Sequence, residues 1–190
     1  MLWCRVKDTM KRIRIRLLII TCVCLALVGV TWADSPYLLR KSVKLEAFGG
    51  ASFKVPEWTI SGPRKENLVV LKTNKVKGPE GFFILMVTIE KGPVGAVKWN
   101  NVAENTVAAA KKRGAILRLK IGSKWTGLKD ANGKRMSGTL KSKGQTMAVS
   151  LVSFVKAGRL VTVSVLCSKR SKAAMSLVEG VARSTKLLAP

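Results

Sequence analysis

The chain has 190 residues, of which 35 are Lys or Arg, 10 are Asp or Glu and none is His, so its formal net charge is +25. The lack of histidine excludes Ser-His-Asp and Cys-His catalytic arrangements and the common histidine-containing zinc sites. Because apolar residues make up 47% of the sequence, the chain can build a core and is not a disordered polycation.

The first 33 residues predict a secretory signal peptide. Four basic residues stand near its start: Lys11, Arg12, Arg14 and Arg16. The uncharged run LLIITCVCLALVGVTWA follows at residues 17–33 and ends in the small residue Ala33. This order of a basic segment, an apolar segment and a small residue is typical of a cleaved leader. We expect cleavage after Ala33 and an exported protein, periplasmic or extracellular.

Two alternatives remain open for this segment. An uncleaved run at residues 17–33 would act as a membrane anchor, although it is slightly shorter than the roughly 20 residues that span a bilayer. Translation from Met10 would give the leader MKRIRIRLLII, which has a more usual beginning than MLWCRVKDT. Neither alternative changes the part of the chain that follows residue 33.

The part after the leader carries most of the positive charge and one cysteine. Since residues 1–33 hold six basic residues and one acidic residue, residues 34–190 keep 29 and nine, a net charge of +20. Cys4, Cys22 and Cys24 precede residue 34, so Cys167 cannot form a disulfide within residues 34–190. Cys167 ends the apolar run LVTVSVLC, which favours a buried structural thiol.

Strand patterns dominate the chain before the first predicted helix. Residues 34–46 are interpreted as an N-terminal arm. The stretch GGASFKVPEWTI, residues 49–60, alternates apolar and polar residues and predicts a strand that ends or lies at an edge near Pro56. SGPRKEN at residues 61–67 predicts a loop. LVVLKT and GFFILMVTIE then predict two strands, the second apolar on both faces, as in a central strand.

A helix is predicted to begin at Asn101, with Glu104 completing a capping box, and to end at Gly114. The runs AILRLKI, KRMSGTLKS, QTMAVSLVSFV and RLVTVSVLC follow as strands of an antiparallel meander. The dipeptide Asn132-Gly133 predicts a hairpin turn within this meander.

A second helix is predicted to begin near Ser171. The order of strands, helix, strands and helix is typical of an α+β domain with a mainly antiparallel sheet and helices packed on its faces. Residues 34–190 are therefore expected to form a single domain. Trp58, Trp99 and Trp125 lie in or next to predicted elements and are expected to pack in its core.

The motif and the element order resemble the PsbP-like superfamily. Phe53, Pro56 and Trp58 match its loose Phe-Pro-Trp opening, with slightly tighter spacing, and residues 46–188 follow its element order. The superfamily includes the photosystem subunit PsbP, the bacterial envelope protein DcrB and a eukaryotic Ran-binding relative. The resemblance to an exported, DcrB-like member implies an αβα sandwich that acts as a binding or assembly module.

The sequence predicts no catalytic residue, no cofactor and no metal site. The nine acidic residues of residues 34–190 are scattered along the chain, with no pair at a spacing that indicates acid–base chemistry. A carboxylate-dependent hydrolase remains an alternative, because two such residues brought together by folding could act as acid and base. A purely structural envelope protein is a further alternative.

Basic residues of the meander and of the segment before the last helix form a candidate anion-binding surface. Side chains two positions apart on a strand share a face, so some of these residues should cluster. The candidate residues are Arg118, Lys120, Lys124, Lys134, Arg135, Lys141, Lys143, Lys169, Arg170 and Lys172.

The charge indicates an exported, non-enzymatic binding or accessory protein of the cell envelope. A net charge of +20 on residues 34–190 exceeds what solubility requires, and a strong positive field attracts polyanions. The expected partner is an anionic envelope component, such as lipid head groups, lipopolysaccharide or an acidic polymer, or else an acidic protein. Nucleic acid fits less well, because the sequence lacks a nucleic-acid motif and interleaved aromatic residues.

Overall fold

The computed structural model describes residues 38–73, 83–169 and 171–188. The predicted signal peptide therefore lies outside the described residues. Among the described residues, no helix is long and apolar enough to cross a membrane.

Ten strands and two α-helices make up the described part of the chain. Its first half contains β1 (Leu39–Leu45), a 3-10 turn (Ala47–Gly49), β2 (Ala51–Pro56), β3 (Thr59–Lys65), β4 (Leu68–Thr73) and β5 (Phe83–Lys91). Its second half contains α1 (Trp99–Lys112), β6 (Ile116–Trp125), β7 (Asn132–Ser142), β8 (Gln145–Lys156), β9 (Arg159–Cys167), α2 (Lys172–Arg183) and β10 (Lys186–Leu187).

The strands form two antiparallel sheets. The larger has seven strands in the order β3-β4-β5-β9-β8-β7-β6, and the smaller has three in the order β1-β2-β10. The meander β6 to β9 and the interior position of β5 confirm the sequence predictions. The loop prediction for residues 61–67 was wrong, because β3 extends through most of them, with a bulge between Ser61 and Arg64. The predicted N-terminal arm contains β1.

The alternation of side chains along each strand divides the core into two layers. Leu151 and Val152 are neighbours on β8, yet they belong to different buried clusters. Val152 packs with the buried residues of α2 and the small sheet, whereas Leu151 packs with Ala103 of α1. Helices therefore cover both faces of the large sheet, which confirms the predicted α+β architecture.

The hairpin turn predicted at Asn132-Gly133 was wrong, because both residues belong to β7. The chain turns before them, where Asp130 has a positive φ of 59°. Gly133 serves packing instead: a Cβ there would lie 2.8 Å from the Trp125 ring and 3.1 Å from Cβ of Phe154. The glycine in this dipeptide is needed for a close ring contact and not for a turn.

The observed helix ends agree with the sequence predictions only in part. The predicted capping box was wrong, since α1 begins at Trp99 and its N-cap, Lys98, makes no side-chain capping bond. Trp99, the first residue of α1, packs against the core layer under the helix. The predicted end of α1 is confirmed, because Gly114 follows the helix with a φ of 72°. The predicted start of α2 is also confirmed, because the Ser171 hydroxyl accepts a hydrogen bond from the Ala173 amide at 3.1 Å.

The aromatic and cysteine predictions agree with the packing. Trp58 and Trp125 are buried, and Trp99 is half-buried against the layer under α1. Cys167 is buried, and its Sγ donates to the Lys169 carbonyl oxygen at 2.8 Å. Burial raises the pKa of the Cys167 thiol against the opposing effect of that hydrogen bond. The side chain is therefore a structural thiol held in its unreactive, protonated form.

Gly138 sets how closely β6 approaches β7. It lies opposite Leu119, and a Cβ at this position would collide with the carbonyl oxygen of Arg118. We expect Gly138→Ala to lower the free energy of unfolding by about 1–3 kcal/mol, because the two strands would have to separate. Denaturant unfolding measures this loss. Thr139→Ala, an exposed neighbour on β7, is the control, and equal stability of both variants would contradict the close approach.

Candidate functional site

Three of the predicted basic residues come together on one face of the large sheet. Leu117, Leu119 and Ile121 of β6 face α1, so the alternating residues Arg118 and Lys120 point to the other face. Lys141 of β7 lies opposite Ile116 and therefore shares this face with them. All three are exposed, and we refer to Arg118, Lys120 and Lys141 as the strand-face cluster. Neighbouring members are about 7 Å apart at the backbone.

Helix α2 lies on the same face of the sheet but over other strands. Its buried side packs with the inner side chains of β8 and β9. Cys167, Ala148, Thr139 and Arg118 form one row of paired residues across β9, β8, β7 and β6. Because α2 begins shortly after Cys167, its N-terminal end lies toward this row. The strand-face cluster therefore flanks α2 instead of lying beneath it.

Arg135 holds structure together and is already engaged. Its Nε donates to Oε1 of Glu179 on α2 at 2.6 Å, and its Nη1 donates to the Lys124 carbonyl oxygen at 2.7 Å and to Ser123 Oγ at 3.2 Å. The hydrogen bond with Glu179 raises the pKa of Arg135, opposed by burial. This side chain ties α2 to the irregular end of β6, so we do not count it as a binding residue.

The remaining predicted residues lie apart from the strand-face cluster. Lys124 and Lys134 pair with each other beyond a bulge in β6, on the sheet face that carries α1. Lys143 is exposed at the tip of the β7–β8 hairpin, with a φ of 49°. Lys169 is exposed between β9 and α2, and Lys172 is the exposed first residue of α2. Arg170 lies outside the described residues.

Charged residues on β6 also have a purely structural use. β6 is the last strand of the large sheet, and lysine or arginine side chains on an edge strand discourage pairing with other chains. This explanation accounts for Arg118 and Lys120. It does not account for Lys141, which lies on the interior strand β7.

A second cationic site was missed by the sequence analysis. A cavity of about 870 Å³ lies where α2 ends, between β2, β10 and the β8–β9 hairpin; we call it the α2-terminal cavity. Five of its lining residues are basic and none is acidic: Lys54, Lys156, Arg159, Arg183 and Lys186. These residues come from separate parts of the chain, so no local pattern indicated that they meet. A weak signal was present in the segments KAGR and RSTK, each of which places two cations three residues apart.

Arg159 is the least accessible of these cations. Its side chain is buried, and Nη1 donates to the carbonyl oxygens of Gly50 at 3.0 Å and Leu188 at 2.9 Å. Those two bonds join the start of β9 to the turn before β2 and to the residue after β10. Among the described residues, no carboxylate forms an ion pair with it; the ion pairs there are Arg64–Glu46, Arg135–Glu179 and Arg183–Glu179.

The described residues contain no group of three or more Cys, Asp or Glu side chains that could hold a metal ion. The basic side chains of both cationic sites offer charge attraction and hydrogen-bond donation. Both sites are suited to anions.

Comparison with solved structures finds similar chains at low sequence identity. The Ran-binding protein Mog1p of Saccharomyces cerevisiae is 11% identical, with a TM-score of 0.54, and the match covers 78% of this chain and 96% of that one. LpqN, involved in cell envelope biogenesis of Mycobacterium tuberculosis, is 12% identical over 78% of this chain and 91% of its own, with a TM-score of 0.47. No family model and no curated protein match the sequence.

The likeness to Mog1p shows the fold and not the function. The chain shares its α+β fold with Mog1p, which agrees with the element order on which the PsbP-like resemblance was based. The narrower DcrB-like assignment stays a prediction.

Glu179 offers a test of the ion pairs that position α2. The hydrogen bond from Arg135 lowers the pKa of Glu179 against burial, which raises it, and the charges of Arg135 and Arg183 lower it further. We expect Glu179→Gln to reduce the free energy of unfolding at pH 7 by about 1 kcal/mol, because the pair is only partly shielded from water. Glu104→Gln, an exposed change on α1, should have little effect.

The loss of stability caused by Glu179→Gln should depend on pH. A carboxyl group whose pKa is lowered by folding stabilises the folded state above its unfolded pKa, about 4.3 for glutamate, and loses this effect as the pH falls through the lower folded value. The stability difference between wild type and Glu179→Gln should therefore shrink below about pH 4. A difference that stays constant from pH 7 to pH 3 would show that the ion pair contributes nothing.

Proposed function

We propose that this chain is an exported, non-enzymatic binding or accessory protein of the cell envelope. Its strand-face cluster attracts an anionic partner, either an envelope component such as lipid head groups, lipopolysaccharide or acidic polymer, or an acidic protein. In this proposal residues 1–33 direct export and residues 34–190 act as one DcrB-like domain.

The observation that carries the proposal is the arrangement of Arg118, Lys120 and Lys141. They are exposed on one face of two adjacent strands, and none of them forms an ion pair with another described residue. Glu179, the carboxylate on the side of α2 nearest β7, is engaged by Arg135 and Arg183. The cluster therefore presents uncompensated positive charge to its surroundings, which favours association with anionic surfaces.

The fold supports a binding role. Mog1p, whose fold this chain shares, is named as a Ran-binding protein, so the same architecture serves protein recognition in at least one case. Fold likeness alone does not transfer a partner. The shared fold supports a protein as the partner in our proposal, but it does not identify that protein.

The carboxylate-hydrolase alternative finds no support among the described residues. The α2-terminal cavity is lined by five basic side chains and no carboxylate. A glycosidase-type site needs two carboxylates about 5–10 Å apart around a cleft. The concave site described here has the opposite charge.

Cosedimentation of the full chain with vesicles tests the lipid-surface form of the proposal. Anionic and neutral vesicles are compared at low and near-physiological salt. Neutral vesicles report apolar insertion of the leader, and its basic residues are present in the wild type and in every variant, so a difference between them does not come from the leader. We expect binding selective for anionic vesicles that weakens as salt rises. Replacing the strand-face cluster by Arg118→Ser, Lys120→Ser and Lys141→Ser should weaken it at least tenfold, since each cation near an anionic surface contributes about 1 kcal/mol.

The matched control removes the same charges elsewhere. Lys111→Ser, Lys112→Ser and Arg113→Ser also takes away two lysines and one arginine, all exposed, at the end of α1. Equal weakening by both triple variants would mean that net charge and not the strand-face cluster is responsible. If anionic vesicles are not bound even at low salt, the lipid form is refuted, and crosslinking in the intact envelope then tests an acidic protein partner.

A further inference from the structure

We propose that the α2-terminal cavity is a binding site for a small organic anion that carries phosphate groups and an apolar part. The site is separate from the strand-face cluster. The cluster lies toward the N-terminal end of α2, and the cavity lies at its C-terminal end. The proposal adds a ligand site to the binding role described above and does not depend on it.

Basic side chains dominate the lining of the cavity. Its five cationic side chains converge on a volume of about 870 Å³, and no carboxylate lines it. One of them, Arg183, contacts Glu179 at 3.4 Å, but that carboxylate makes its shorter bond, 2.6 Å, to Arg135. Like charges held around one space repel each other, so a bound anion would relieve this repulsion.

The dipole of α2 explains only part of the positive charge that lines the cavity. Cations are favourable near the C-terminus of a helix because of its dipole, which accounts for Arg183 and Lys186. Lys54 comes from β2, and Lys156 and Arg159 come from the β8–β9 hairpin. The dipole of α2 therefore does not explain why these three cations line the cavity.

Arg159 gives the cavity a fixed hydrogen-bond donor. Its Nη1 is held by the two backbone carbonyl oxygens of Gly50 and Leu188, which are neutral partners for a buried charge. Among the described residues, Trp125 Nε1 is the only buried side-chain nitrogen or oxygen atom that lacks a hydrogen-bond partner. The other guanidinium nitrogens of Arg159 are therefore not fully buried, and Arg159 is one of the residues that line the cavity. A guanidinium held in place and partly desolvated binds phosphate oxygens well.

The lysines complete a site suited to more than one charge. Lys156 Nζ donates to the Lys129 carbonyl oxygen at 3.0 Å, and Lys54 and Lys186 are exposed at the rim. Flexible lysine side chains can move onto an anion once it is anchored by arginine. Phosphate groups match this set better than a single carboxylate, because each carries up to two negative charges and several acceptor oxygens.

Apolar residues at the cavity indicate that the ligand is not purely ionic. Leu128, Ala157, Leu187 and Leu188 line it beside the cations. The size lies within the roughly 300–1,000 Å³ of small-molecule sites. Leu188 is 40% exposed, so an apolar part of the ligand could extend from the cavity along it. A phosphorylated lipid head group and a soluble organic phosphate share this chemistry.

Calorimetric titration of the purified full chain with two probes tests the proposal and separates these sources. Pyrophosphate supplies the charges alone, and dihexanoyl phosphatidic acid, kept below its micelle concentration, supplies a phosphate with an apolar part. Dihexanoyl phosphatidylcholine is the control lipid. We expect both anions to bind at low salt. Tighter binding of the phosphatidic acid indicates a lipid source, and equal or tighter binding of pyrophosphate indicates a soluble phosphate compound.

Variants then locate the binding. Lys156→Gln with Lys186→Gln removes two cations near the surface of the cavity and leaves the buried Arg159 in place, so folding should be retained; thermal unfolding checks this. We expect the dissociation constant for pyrophosphate to rise at least tenfold. Lys111→Gln with Lys112→Gln, which removes equal charge from the end of α1, should leave it within about twofold, as should the triple variant of the strand-face cluster.

Two results would overturn the proposal. One is the absence of saturable binding of both anionic probes at low salt. The other is equal weakening by the cavity variant and the α1 variant, which would mean that the anions respond to net charge. Because the strand-face variant is measured in the same series, loss of vesicle binding and loss of pyrophosphate binding can be told apart.

Discussion

The burial of α2 against the large sheet is the interaction on which both cationic sites depend. Its inward residues are Ala174, Leu177, Val178, Val181 and Ala182, and they pack with the inner side chains of the central strands. Since α2 covers only part of this sheet face, the strand-face cluster remains open beside its N-terminal end. Where the helix ends, the chain turns into β10, and this segment lines one side of the cavity. Shifting α2 would alter both sites together.

Glu179 links the two sites through charge. It is half-buried on α2 and contacts Arg135, which reaches the irregular end of β6, as well as Arg183, which lines the cavity. One carboxylate thus fixes the helix on the sheet and neutralises part of the charge between the sites. In a protein with so few acidic residues, this ion pair leaves the cations on either side without compensation. A positive field of this kind steers anionic partners toward the molecule before any specific contact forms.

The two sites differ in shape, and therefore in the partners that suit them. Arg118, Lys120 and Lys141 lie on an exposed strand face with serine and threonine neighbours, Ser137 and Thr139. Such a surface suits an extended anionic partner. The α2-terminal cavity instead is an open concave site lined by cations and apolar side chains, which suits one compact ligand. A fold shared with Mog1p does not decide between such partners, because function lies in the side chains that a fold presents.

The sequence by itself determined the element order, the antiparallel meander from β6 to β9 and the clustering of Arg118 with Lys120. These features follow from alternation along strands, which is local. It also predicted the burial of Cys167, because the thiol ends a continuous apolar strand. Only the tertiary structure decided that Asn132-Gly133 lies within a strand, since the reason is a ring contact with Trp125, and that Arg135 is an anchor of α2. It alone revealed the cavity, because Lys54, Lys156, Arg159, Arg183 and Lys186 are brought together by packing between distant segments and not by any spacing along the chain.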